Sequence, residues 1–236
     1  MKKTIALVLA FCLCFALAAC SKKEAAEPEM TADEPVAAAA GGWTVNVEFG
    51  ETELPEDAKA ALDKALEGYA GVGFTPVAYL GSQVVAGLNY AFLCKSTLIA
   101  ATPVTELNVV TVYQSLDGNA EIKDVINIDP SAYTQEGQID FKPDDLTGNY
   151  SCEDASGCGL DEDVQKKFDK AFEGFAGVGY TPLALMGTQV VAGVNYAVLC
   201  KAQTVASDTK AALAVVVIYA DLQDGAQITG ISGFEF

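Results

Sequence analysis

The second half of this chain repeats the first at a fixed offset of 106 residues. Leu54 matches Leu160, Gln83 matches Gln189, Tyr113 matches Tyr219 and Ile122 matches Ile228, without a gap. From Leu54 to Lys95, 27 of 42 positions are identical. Agreement of that extent marks an internal duplication, so any fold assigned to one copy must serve the other. At 236 residues and 51% hydrophobic composition, the chain has enough material for two small cores.

Within a copy, the period of the apolar residues changes along the sequence. Val45, Val47 and Phe49 alternate with Thr44, Asn46 and Glu48, which predicts a first strand over 44–49. From Pro55 the spacing becomes helical, with Ala58, Ala61, Leu62, Ala65, Leu66 and Tyr69 on one face. Pro55 suits a first turn, and Glu56 and Asp57 favour the positive end of the helix dipole. The second copy carries Val164, Phe168, Ala171, Phe172 and Phe175 at matching positions. Strands then follow at 74–80, 88–95, 107–113 and 121–128. In 88–95, Leu88, Tyr90, Phe92 and Cys94 form one face, matched by Val194, Tyr196, Val198 and Cys200. This order of elements predicts an α+β fold with one helix packed across an antiparallel β-sheet in each copy.

Between the second and third strands lies Gln83-Val84-Val85-Ala86-Gly87, followed by Leu88-Asn89-Tyr90. It recurs as Gln189-Val190-Val191-Ala192-Gly193, followed by Val194-Asn195-Tyr196. The glycine suits a tight hairpin, yet two valines stand near the tip, where turn residues are usually polar. This motif resembles the first inhibitory hairpin of the cystatins, and most of all the stefins, which inhibit papain-like cysteine proteases. The resemblance implies two tandem cystatin-like domains, each presenting a hairpin that wedges into a protease cleft. It also implies a glycine-bearing N-terminal segment and a second hairpin beside the wedge. Gly41-Gly42 matches the first of these, and Leu116-Asp117-Gly118 resembles the stefin Leu-Pro-Gly turn, with Asp117 in place of proline. The second copy has only Gly148 ahead of its cysteine loop and reads Leu222-Gln223-Asp224-Gly225 at its second turn, which predicts that domain one carries most of any inhibition. The competing readings are a non-inhibitory module that binds a peptide or glycan, and a structural spacer.

Charge and composition narrow the classes further. The net charge is −18, there is no histidine, and every basic residue is lysine. Nucleic-acid binding calls for cationic surface and usually for arginine forks, so that class is excluded. Without histidine the chain lacks the commonest general base and metal ligand. No pairing of carboxylates or lysines points to catalysis, so neither an enzyme nor a cofactor or metal site is expected.

Lys2 and Lys3 precede an apolar run that ends in Leu17-Ala18-Ala19-Cys20. A positive start, a short apolar stretch and small residues before a cleavage point describe a secretory signal over 1–19. Leu-Ala-Ala-Cys resembles a bacterial lipobox, which implies lipidation of Cys20 and anchoring at the bacterial cell surface. Residues 20–40 read as a flexible tether, 41–130 as domain one, 131–147 as a linker and 148–236 as domain two. The polar stretch between the copies leaves room for a short strand at 138–141. Of the seven cysteines, Cys152 and Cys158 lie in a Gly/Ser/Asp loop of an exported chain, which predicts a small disulfide ring. Cys94 and Cys200 read as small buried hydrophobes.

Overall fold

The computed structural model describes residues 42–45, 54–133, 149–155, 158–204 and 211–236. The signal, the tether with Cys20, Gly41, Gly148 and the stretch 138–141 lie outside the described residues.

In the first copy, strand β1 (Trp43–Val45) precedes helix α1 (Glu56–Leu66), and β2 (Val72–Val85), β3 (Gly87–Leu98), β4 (Thr105–Gln114) and β5 (Ala120–Ile128) follow. A short 3-10 turn, Pro130–Tyr133, closes this half. The second copy has helix α2 (Glu162–Ala171) and strands β6 (Val178–Val191), β7 (Gly193–Thr204), β8 (Ala212–Ala220) and β9 (Ala226–Gly233). The strands form two antiparallel meanders, β1-β2-β3-β4-β5 and β6-β7-β8-β9. The first helix begins after Pro55. The second is capped by Asp161, whose carboxylate accepts from the backbone N–H groups of Asp163 and Val164 at 2.9 and 2.8 Å.

The expected α+β fold, with two self-contained helix-on-sheet domains, is overturned. The fold is mainly β: two sheets of five and four strands, with helices of only 11 and 10 residues. The reason is that both faces of each sheet are apolar. Tyr90, Phe92 and Cys94 do pack beneath α1 with Ala58, Ala61 and Leu62. The opposite face of the same strands, however, carries Val77, Leu80, Leu93 and Val109. These residues bury against Met186, Leu199, Val215 and Val217 of the second sheet in one shared core. A single short helix cannot cover two faces, so the other face of each sheet is covered by its duplicate. The helix α2 covers the outer face of its own sheet through Val164 and Phe168.

The strands also run longer than expected. β2 and β6 stay paired to Val85↔Gly87 and Val191↔Gly193, leaving Ala86 and Ala192 as the bends. Pro76 and Pro182 are accommodated at register shifts in equivalent places, where a missing N–H disrupts the ladder least.

The two sheets lie head to tail. Trp43, paired with Gln83 beside the first hairpin tip, packs edge-on against Phe236 at 5.2 Å. Phe236 follows Gly233, whose partner Ala214 is at the end of the second sheet remote from its own tip. Conversely, Lys95, at the end of the first sheet remote from its tip, donates to the backbone carbonyl of Glu153 at 3.2 Å. Glu153 lies two residues beyond Ser151, which bridges Thr188 next to the second tip.

Candidate functional site

Each hairpin tip is made by a glycine that no other residue replaces without strain. Gly87 has φ 138° and Gly193 has φ 140°, both in the region that favours glycine. A Cβ at Gly87 would collide with the carbonyl oxygen of Gln114 and stand 2.9 Å from the Tyr113 ring. At Gly193 it would collide with the carbonyl oxygen of Ala220 and approach the Tyr219 ring at 2.7 Å. Strands β4 and β8 therefore press directly against the two hairpins.

That pressure is used. The Tyr113 hydroxyl donates to the Ala86 carbonyl at 2.7 Å, and the Tyr219 hydroxyl to the Ala192 carbonyl at 2.6 Å. One step below the tip, the Asn89 side-chain amide donates to Gln83 Oε1 at 2.6 Å, as Asn195 does to Gln189 Oε1 at 2.8 Å. Both asparagines are buried, and their Oδ1 atoms have no hydrogen-bond partner among the described residues. Such an orphan costs about 1–3 kcal/mol, and it recurs in both copies, so the bracing of the hairpin is retained against that cost. Above this brace Val84 and Val85 are 38% and 40% exposed, and Val190 is 66% exposed.

Neighbouring segments complete the end of the first sheet. The register Trp43↔Gln83 carries the chain toward Val84, so Gly42 arrives beside the tip. On the other side Leu88 pairs with Gln114, which pairs with Ala120, so the turn 115–119 stands next to the hairpin. Leu116 at its crest is 88% exposed. Asp117 accepts hydrogen bonds from the Ser115 hydroxyl and from Asn119, which hold its carboxyl below the usual range. Lys64, at the end of α1, donates to the Gly118 carbonyl at 2.6 Å and ties the helix to this turn. The expected residues Gly42, Gln83, Val84, Val85, Ala86, Gly87, Leu116, Asp117 and Gly118 are thus brought together at one end of one sheet.

The second copy assembles a similar end from different material. Ser151 and Thr188 exchange backbone hydrogen bonds at 2.7 and 2.9 Å, which carries Asn149 and Tyr150 alongside Gln189 and Val190. Tyr150 turns inward against the shared core instead of leaving a bare glycine segment, and burial pushes its hydroxyl pKa up. Leu222 crests the second turn at 79% exposure, and Lys170 donates to the Asp224 carbonyl as Lys64 does to Gly118. Sequence reasoning passed over Tyr113, Tyr219, Lys64 and Lys170 as braces. Their signal was present: each pair is identical at the repeat offset although the side chains serve no core.

The structure departs from the expected disulfide ring. Cys152 and Cys158 are both free thiols. Cys152 is drawn into the core shared by the two sheets, and its thiol meets the Leu107 backbone rather than its own loop. Burial raises the pKa of both thiols. Cys94 and Cys200 are fully buried beneath the helices, and burial alone pushes the Cys94 thiol up to about 12 and the Cys200 thiol further. At neutral pH such thiols stay protonated, and the nucleophilic form is suppressed. No group of three or more acidic, cysteine or histidine side chains able to hold a metal occurs among the described residues.

No family model matches this chain, and no curated protein matches its sequence.

Proposed function

We propose that the chain binds papain-like cysteine proteases and blocks their clefts, with the first hairpin tip as the wedge. The observation that carries this reading is the convergence of Gly42, Val84-Val85-Ala86 and Leu116-Asp117-Gly118 at one sheet end, with both valines exposed on a braced hairpin. Nanomolar binding needs about 12 kcal/mol, and burying two valines contributes only about 1.5–3 kcal/mol each before association costs. The flanking segments supply further area. The Tyr113 and Asn89 hydrogen bonds lower the entropic cost, because the tip is already held before it meets a partner. Lipidation of Cys20 would hold the chain at the bacterial cell surface, with the net charge of −18 keeping attachment to the lipid rather than to anionic headgroups.

The test is a titration of papain-catalysed peptide hydrolysis with the purified chain. The expected outcome is stoichiometric loss of activity, relieved in a V84D/V85D variant. Papain that stays fully active and unbound with excess chain present sinks the reading. Binding without loss of activity instead selects the non-inhibitory module, in which the same tip captures an extended segment away from a catalytic centre.

A further inference from the structure

We propose that the chain is a bipolar, two-site binder that holds two protease molecules at once, one at each end of the sandwich. This rests on the reading of the first tip given above and extends it to the second. The sheets lie head to tail, as the edge-on Trp43–Phe236 contact and the Lys95–Glu153 hydrogen bond record from opposite ends. The tip Val84-Val85-Ala86 and the tip Val190-Val191-Ala192 therefore face away from each other.

Their separation follows from the strands. β3 and β7 are 12 residues each, so at a rise of about 3.3 Å per residue the two ends lie roughly 40 Å apart. Two globular partners approaching along opposed directions do not collide. Had the duplicated sheets packed with tips side by side, one bound partner would have screened the other site.

The second end is equipped for the role despite its altered neighbours. Val190 is the most exposed tip valine in the molecule and Leu222 crests the adjacent turn. The same tyrosine and asparagine braces hold the hairpin. The bridge Ser151↔Thr188 brings a third segment alongside it, where the sequence offers only Gly148 before the cysteine loop. Both ends thus combine an exposed valine tip, an exposed leucine turn and an adjoining N-terminal segment on one compact unit.

Native mass spectrometry of the chain with excess papain, its active-site thiol blocked by alkylation, measures the stoichiometry directly. Two papain molecules per chain are expected. V84D/V85D and V190D/V191D should each reduce this to one, and the combined variant should bind none. One papain per chain, unchanged by V190D/V191D, overturns the bipolar inference while leaving the first tip in place. No papain on the unaltered chain overturns the reading on which it rests. The stoichiometry of the unaltered chain decides the matter even where a variant fails to fold.

Discussion

Truncating one leucine in the second copy should destabilise the first. Leu199 is fully buried in the core between the sheets, a core to which both copies contribute residues. Leu199→Ala removes its transfer energy and leaves a cavity, a cost of about 2–5 kcal/mol. With a urea dependence of about 2–3 kcal/mol per molar for a unit of this size, the midpoint should fall by roughly 1–2 M. Trp43 is the only tryptophan; it belongs to the first sheet and packs against Phe236 of the second copy, so its fluorescence reports on the first sheet and on its junction with the second. Far-UV circular dichroism reports on both. Because the two sheets share one core, the fluorescence and dichroism transitions should coincide and move together. Leu62→Ala, on the buried face of α1, should move both probes in the same way. If Leu199→Ala shifts the dichroism transition and leaves the Trp43 transition where it was, the sheets unfold independently and the shared core is wrong.

Three further outcomes follow from local geometry and a fourth from the sequence. Tyr113→Phe deletes the hydrogen bond to the Ala86 carbonyl, worth about 0.5–1.5 kcal/mol; it should weaken papain binding up to about tenfold in a competition assay while hardly moving the melting temperature. Alkylation of the folded chain followed by peptide mapping should label Cys158 first among the four described cysteines, as the least buried of them, with Cys94 and Cys200 reacting only on unfolding. Folding raises the Cys94 thiol from an ordinary 9.0 to about 12, so the unfolded chain loses that proton first; stability should be fully present below pH 9.0 and fall as pH rises toward 12, and Cys94→Val should flatten that fall in pH-dependent denaturation. Cys20→Ala should abolish incorporation of a fatty-acid probe, and undiminished labelling would remove the lipid anchor.

The helices, the strand order and the tip motif were legible because each is written locally. A 3.6-residue period marks Ala58, Ala61 and Leu62, a two-residue period marks Tyr90, Phe92 and Cys94, and a glycine with positive φ follows the valine pair. The sheet-on-sheet core was not read, although its signal was present. In β8 the run from Leu213 to Ile218 is buried without interruption, and Val109 and Val110 are both buried in β4. Unbroken apolar runs mean that both strand faces are covered. Reading only the face shared with the helix left Ala91, Leu93, Ala197 and Leu199 unassigned, and those are the residues that join the copies. Periodicity describes one strand at a time and does not say which distant face will cover it.

The same shared core accounts for how exposed valines are tolerated at the tips. A hairpin on a two-layered helix-and-sheet unit would lean on a sheet with one bare face, and two apolar residues at its end would invite collapse back onto that face. Here the central strands of each sheet are covered on both sides, by a helix and by the other sheet. Among the described residues, the apolar faces of the central strands below the tip are already occupied, so Val84 and Val85 have no bare sheet face to fall onto. The remaining freedom is in the bend, and there the Tyr113 hydroxyl holds the Ala86 carbonyl while Asn89 holds Gln83. The Gly87 backbone lies so close to Gln114 that a side chain would not fit between them. The valines are therefore held exposed on a braced hairpin, which is the state that the proposed wedge requires.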